Sequence, residues 1–177
     1  MQKVIEAIER LYQRAHDNVK AMVSEGDRIS GKKMNEHQLE AHALAYLATE
    51  LEACRQMSQW AERVGGDYEA KVARAYVGEV ARSLVGGVDL GACENVSLAD
   101  LGIKDGDLRE TVLAPEVVAF AAEHSNGQVY LEIAAHARDH GMPNPGYDDE
   151  MLSEIQAQFA KFVDAEVIPR AQDIHRQ

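Results

Sequence analysis

The sequence predicts an all-α protein, and three observations support this prediction. Only 6% of the 177 residues are aromatic, and the chain is rich in Ala, Leu, Glu, Val and Arg, which favour helices over sheets. Apolar residues recur every three or four positions over most of the chain, which places them on one face of successive helices. No segment offers a strand pattern of comparable quality. We therefore expect an antiparallel helical bundle followed by a C-terminal helix.

The predicted helices are separated by short breaks, which are marked by glycine and proline. In chain order they span residues 2–25, 36–64, 68–88, 115–124 and 129–140, and a final helix follows residue 148. Residues 89–110 are acidic and interrupted by three glycines, which predicts a loop with a short helical turn.

Capping residues define the ends of these helices. Asn35, Asp67 and Ser125 are the predicted N-caps of the second, third and fifth helices, because their side chains can accept a hydrogen bond from a free backbone N–H. Pro115 suits the first turn of the fourth helix, where a missing N–H costs least. The Gly65–Gly66 pair ends the second helix, and so short a turn makes the next helix pack antiparallel to it.

The chain has its clearest break near residue 141, where two prolines and two glycines fall within six residues. We therefore divide it into a helical bundle over residues 1–140, a Pro/Gly linker over residues 141–147 and a final segment over residues 148–177. Asp148 is the expected N-cap of the final helix. Its apolar stripe consists of Met151, Ile155, Phe159 and Phe162. We expect this stripe to be buried, either against the bundle or against another copy of the chain.

The charge balance argues against a nucleic-acid-binding role. The chain has 18 Lys and Arg residues and 30 Asp and Glu residues, for a formal net charge of −12. Nucleic-acid binding depends on clustered cations that release counterions from the phosphate backbone. So acidic a charge balance works against such binding. No run of about 18 apolar residues is present, and the charged N-terminus lacks the apolar stretch of a secretory signal. We expect a cytoplasmic protein with no membrane partner.

Two histidine groups are candidate metal ligands. Glu132, His136 and His140 lie at positions i, i+4 and i+8, so they share one helical face. A metal enzyme would need a further ligand and an open coordination position, so we favour a structural role for this face. His37 and His42 are five residues apart and do not share a face, which makes them poor joint ligands.

Carboxylates and cysteines are further candidates for metal ligands or nucleophiles. The two central helices carry Glu40, Glu50, Glu52, Glu62, Glu69 and Glu79. A di-iron bundle would need Glu-x-x-His pairs, which neither of these helices contains. Glu50 lies one position off the apolar stripe and is expected to be half-buried. Cys54 lies on the stripe and is expected in the core, and its spacing from Cys93 fits no zinc or disulfide motif. We assign no catalytic, cofactor-binding or metal-binding residue to this chain.

Residues 37–55 (HQLEAHALAYLATELEACR) resemble the helix that opens the C-terminal bundle of the FAD-dependent acyl-CoA dehydrogenases. Ala70–Lys71 and residues 78–81 (GEVA) resemble the helix that follows in that family. The family continues to a glutamine and a paired-glycine turn that contact the flavin, whereas this chain has residues 85–91 (VGGVDLG) without that glutamine in register. The resemblance therefore implies a similar bundle but no flavin ligand in this segment.

Residues 159–175 (FAKFVDAEVIPRAQDIH) resemble the first helix of an acyl-CoA dehydrogenase. The bundle-like segment thus precedes the start of the dehydrogenase. The resemblance implies that the chain is the N-terminal, non-catalytic part of a longer FAD-dependent enzyme, truncated shortly after the dehydrogenase domain begins. The parent would oxidise an acyl-CoA to an enoyl-CoA and form a homo-oligomer, with the rest of its own chain as partner.

Two other interpretations stay open at this stage. The chain could be an independent helical module that binds a partner protein, or a small metal-carboxylate bundle. Visible flavin absorbance in a full-length protein would separate the dehydrogenase from both, and metal analysis would test the last.

Overall fold

A computed structural model describes residues 1–91, 94–146 and 149–176. Cys93 and Asp148, which enter two of the predictions above, lie outside these described residues. The chain divides into two compact units, Met1–Pro143 and Asn144–Gln177. Helices dominate the described part of both units, so the all-α prediction is confirmed.

The first unit contains most of the secondary structure. Its helices are α1 (Gln2–Val23), α2 (Gly31–Glu36), α3 (Gln38–Val64), α4 (Asp67–Ser83), α5 (Asp105–Arg109), α6 (Pro115–His124) and α7 (Gly127–His140). Its strands are β1 (Ser24–Glu25), β2 (Arg28–Ile29), β3 (Val88–Gly91) and β4 (Glu94–Val96). A 3₁₀ turn over Leu84–Gly86 follows α4.

The core of the first unit is formed by α1, α3 and α4, closed on one side by α6 and by the loop that precedes it. Ile8 and Leu11 of α1 and Leu47 of α3 are fully buried. Leu101, from the segment between β4 and α5, is also fully buried, and Val117 of α6 is 1% exposed. Removal of such side chains from water provides most of the stabilisation of a helical bundle.

The turn between α3 and α4 forms as predicted. Gly65 ends α3 with a φ of 77°, in the left-handed region that glycine adopts without penalty, and its N–H donates to the Ala61 carbonyl. The hydroxyl of Tyr76 on α4 donates to Glu50 Oε2 on α3 at 2.8 Å. Since these residues lie on either side of the turn, the two helices run antiparallel.

Three predicted caps are wrong. Asn35 lies inside α2. The predicted second helix corresponds to α3, which begins only after His37, because His37 has the non-helical angles φ −121° and ψ 37°. Asp67 is the first residue of α4, whose N-cap is Gly66. Asn126, not Ser125, caps α7 by accepting a hydrogen bond from the Val129 N–H at 3.2 Å. Local spacing offered several equivalent caps, and packing selected among them.

Two short hairpins form where two predicted helices end too late. The predicted helix over residues 2–25 ends at Val23, before β1, and the one over residues 68–88 ends at Ser83, before β3. β1 pairs with β2 directly after α1. β3 pairs antiparallel with β4, with Val88 opposite Val96 and an irregularity between Asp89 and Gly91. Val88 and Val96 are buried, so this hairpin covers one end of the core rather than forming a sheet of its own.

The second unit is a helical rod of α8 (Glu150–Phe162), a π-helical turn (Val163–Val167) and α9 (Ile168–His175). Asp149 caps α8 by accepting hydrogen bonds from the N–H groups of Met151 and Leu152. The π-helical turn ends two residues before Pro169, whose ring would clash with the carbonyl four residues back in an α-helix. The Ile168 N–H therefore donates to the Val163 carbonyl, five residues back.

The apolar stripe of α8 is exposed. Phe159 and Met151 are each 66% exposed, and Ile155 is 46% exposed. The stripe was expected to be buried, and the second unit alone does not bury it.

Candidate functional site

The Glu132, His136 and His140 face is occupied by contacts within the first unit. The His136 ring stacks on Tyr68 with centroids 3.8 Å apart, and the His140 ring lies 4.5 Å from that of His136. Glu132 Oε2 accepts a hydrogen bond from Lys71 Nζ at 2.6 Å, which is the main reason that the pKa of this carboxyl is lowered. These contacts tie α7 to α4.

The other histidine pair is not brought together. His37 Nδ1 lies 3.5 Å from Glu40 Oε1, whereas the His42 ring stacks on Tyr46 at 5.0 Å. Within the described ranges, no group of three or more His, Cys, Asp or Glu side chains is arranged to hold a metal ion. This finding gives no support to a metal-carboxylate bundle.

Glu50 and Cys54 lie where their patterns predicted. Glu50 is half-buried and accepts the hydrogen bond from Tyr76. Cys54 is fully buried, and burial, aided by the negative charge of Glu50, raises the pKa of its thiol to about 12. A thiol with so high a pKa is almost entirely protonated at neutral pH, so it is a poor nucleophile.

A polar cavity of about 280 Å³ adjoins this pair. Glu50, Tyr46, Asp89 and Asn95 line it. The Asp89 carboxylate already accepts a hydrogen bond from the Gly91 N–H at 2.8 Å, which holds the start of the β3–β4 hairpin. The cavity therefore lies where the hairpin meets α3, and two of its carboxylates, Glu50 and Asp89, already accept hydrogen bonds within the fold.

An apolar groove lies between α4 and α6 in the first unit. We call it the α4–α6 groove, and its volume is about 370 Å³. Its lining residues are Ala81, Arg82, Val85, Val112, Leu113, Val117, Val118, Ala121 and Ala122. The floor is buried, while three apolar side chains on the rim, Val85, Leu113 and Val118, are 39 to 48% exposed.

Arg82 provides the single charge in the lining of this groove. Its Nη1 donates to the Ser125 carbonyl at 2.7 Å, which places the guanidinium beside the C-terminal end of α6. This groove was not predicted from the sequence. A signal was present, because Val117 and Val118 are adjacent in α6 and one helix cannot bury both against the same core.

The chain is similar to a known dehydrogenase over most of its length. No protein-family model matches the chain. Over 175 residues the chain is 32% identical to the (2S)-methylsuccinyl-CoA dehydrogenase of Cereibacter sphaeroides. The chain is related to the acyl-CoA dehydrogenases.

The match covers 95% of this chain but 31% of that dehydrogenase, so the chain spans about a third of the length of the relative. Segments that showed the family resemblance in the sequence fall on α3, α4 and the rod of the second unit. The resemblance to the family is thereby confirmed. In the described part of the chain, no helix is long and apolar enough to cross a membrane.

Proposed function

We propose that this chain is the N-terminal, non-catalytic helical part of an FAD-dependent acyl-CoA dehydrogenase. The coverage of the match supports the proposal most strongly, since nearly the whole chain aligns with about a third of a larger dehydrogenase. In this proposal residues 1–140 form a helical extension, residues 141–147 a linker and residues 148–177 the first helix of the dehydrogenase domain.

The exposed stripe of α8 supports the same proposal. Burial of each large apolar side chain is worth roughly 1.5–3 kcal/mol, and the stripe contains several such side chains that are at least 46% exposed. An exposed apolar face of this kind marks a surface that packs against more protein. We assign that role to the remainder of the dehydrogenase domain, and expect a homo-oligomer as in the family.

The chemistry of the parent then lies outside this segment. Dehydrogenation of an acyl-CoA removes the α-proton to a base and the β-hydrogen as hydride to the flavin, which yields an enoyl-CoA. Cys54 is buried and the carboxylate of Glu132 is engaged by Lys71, so neither group is placed to act as the base. (2S)-Methylsuccinyl-CoA, which the name of the relative specifies, is the first substrate to test.

The proposal is tested by expressing two proteins, the 177-residue chain and the product of the whole reading frame that contains it. We expect the longer protein to purify yellow and to reduce an artificial electron acceptor when given acyl-CoA. We expect the 177-residue chain to contain no flavin and to show no activity. Stoichiometric flavin in the short chain, or a longer protein that neither binds flavin nor oxidises acyl-CoA, would overturn the proposal.

A matched pair of variants tests the role assigned to α8. In the longer protein, Phe159→Ser with Phe162→Ser should lower the melting temperature and the flavin content together. Leu131→Ser is the control, because Leu131 is 68% exposed on α7 and lies in the first unit. Equal effects of the two changes would show that α8 is not part of the dehydrogenase body.

A second function is favoured by one observation. Met1–Pro143 is a compact unit with its own core, as an independent interaction module would be. Deletion of residues 1–143 from the longer protein separates the two functions. A deletion that leaves flavin content, oligomeric state and turnover unchanged favours the module, whereas loss of any of them favours the integral extension.

A further inference from the structure

We propose that the α4–α6 groove binds an amphipathic carboxylate, a molecule with an unbranched aliphatic chain of about ten carbons and one terminal anionic group. The inference is independent of the function proposed above, because it rests only on the first unit. It assigns a class of ligand to the α4–α6 groove, which has no role in the function proposed for the chain.

The volume and lining of the groove match a small-molecule site. Ligand pockets enclose about 300–1,000 Å³ and are mostly apolar with few polar groups, and this groove encloses about 370 Å³. A methylene group fills about as much space as a water molecule, roughly 30 Å³, so a filled groove takes on the order of a dozen such groups. Because the rim is open to solvent, a chain of about ten carbons fits this space.

The floor of the groove favours an aliphatic chain. Ala81, Val112 and Val117 are each at most 2% exposed, so the floor presents only methyl groups. Val85, Leu113 and Val118 stand on the rim with 39 to 48% of their surface in water. A bound aliphatic chain would remove the three rim side chains from water, which is the dominant favourable term in such binding.

Arg82 determines the charge of the proposed ligand. A guanidinium has five N–H donors, and in the described structure one nitrogen of Arg82 donates to the Ser125 carbonyl. No described carboxylate forms an ion pair with this side chain, which is exposed at the edge of the groove. A guanidinium with free donors recognises a carboxylate through charge-assisted hydrogen bonds, so the anionic group belongs at this end.

Decanoate, kept below its micelle concentration, is the probe, and it is titrated into the ¹⁵N-labelled 177-residue chain. We expect saturable shifts of backbone amides of the groove floor, and weaker binding of 1-decanol, which has the same chain without the charge. Arg82→Gln should weaken decanoate binding about tenfold and leave decanol binding unchanged. Arg74→Gln, on the same helix but outside the groove, is the matched control.

The apolar part of the site is tested by Val118→Gln, which adds a longer polar side chain without a charge. Val118 is 48% exposed, so glutamine is tolerated in the fold but occupies the groove, and we expect decanoate shifts to disappear. Val85→Gln repeats the test should the first variant fail to fold, and Leu131→Gln on α7 is the matched control.

Several outcomes would overturn the proposal. These are shifts that do not saturate or fall outside the groove, equal affinity for decanol and decanoate, and unchanged binding by Arg82→Gln or by both groove-blocking variants. Sedimentation equilibrium, which measures the oligomeric state, can give one further outcome against the proposal. A dimer of the unmodified chain that Val118→Gln dissociates, with no decanoate binding, would mean that a second copy covers the groove.

Discussion

Helices α1 and α8 are both amphipathic, yet they differ in what becomes of their apolar faces. In α1, Ile8 and Leu11 are fully buried under α3 and α4. In α8, Phe159 is 66% exposed and Ile155 is 46% exposed. Periodicity therefore defines which face of a helix is apolar. Whether that face is buried depends on residues from another part of the fold or from another protein surface.

The largest expected contrast between the two units is in thiol reactivity. In a Cys93→Ser background, Cys54 should react with a thiol reagent at pH 8 on the order of 10³-fold more slowly than a cysteine introduced as Phe159→Cys. Burial keeps the reagent away from Cys54 and raises the pKa of its thiol to about 12, against about 8.5 for an ordinary cysteine, so little thiolate is present. Mass spectrometry of timed samples measures the rates, and similar rates would show that the core opens freely.

Side-chain truncation should distinguish the units next. Leu47→Ala removes a fully buried side chain and should lower the free energy of unfolding by about 2–5 kcal/mol. Ile155→Ala, in the exposed stripe of α8, should cost less than about 1 kcal/mol in the 177-residue chain. Urea unfolding followed by circular dichroism measures both. A cost above 2 kcal/mol for Ile155→Ala would mean that α8 is covered in solution.

Loss of helix caps should have a smaller effect, which differs between the units. Asp149→Ala removes the acceptor for two N–H groups of α8 and should cost about 1 kcal/mol of local helix stability. Hydrogen exchange over residues 150–162 should therefore accelerate about fivefold. Asn126→Ala, the equivalent change at α7, should alter exchange less because tertiary contacts also hold that helix. Equal acceleration at both helices would contradict this difference.

The smallest expected effect is a pH dependence confined to the first unit. Partial burial, helped by Arg74 and the N-terminal amine, lowers the pKa of His124 below its ordinary value of 6.5, while Glu123 opposes the shift. The unfolded chain therefore binds more protons than the folded chain as the pH falls through 6.5, so stability decreases on acidification.

His124→Asn should remove this part of the pH dependence, an effect of well under 1 kcal/mol because the imidazole remains partly solvated. Urea midpoints measured at pH 7.5 and 5.5 provide the comparison. A variant whose midpoint falls as steeply as that of the unmodified chain would show that other groups cause the acid sensitivity.

Several features could be predicted from local sequence because they depend on neighbouring residues alone. Pro115 begins α6, and Gly65 and Gly141 end their helices with positive φ values. The burial of Cys54 and the half-burial of Glu50 also followed from their positions on α3. A histidine face on α7 was predicted as structural, and stacking on Tyr68 agrees with that interpretation.

Other features depended on contacts between distant residues. The choice of Asn126 over Ser125 as a cap follows from packing, because Ser125 is fully buried with its Oγ 2.7 Å from the Tyr130 hydroxyl. The β3–β4 hairpin forms where Val88 and Val96 can be buried, although its residues resemble a loop.

The sequence by itself determined the helical class, the turn between α3 and α4, and the family relationship, because each is encoded in periodicity, glycine positions or matched residues. The tertiary structure alone decided the hairpins and the α4–α6 groove. A groove requires two helices to diverge over a shared floor, and Arg82 lies beside Ser125 only because α4 and α6 pack together. Residues 43 positions apart in the chain have no local signal that brings them together.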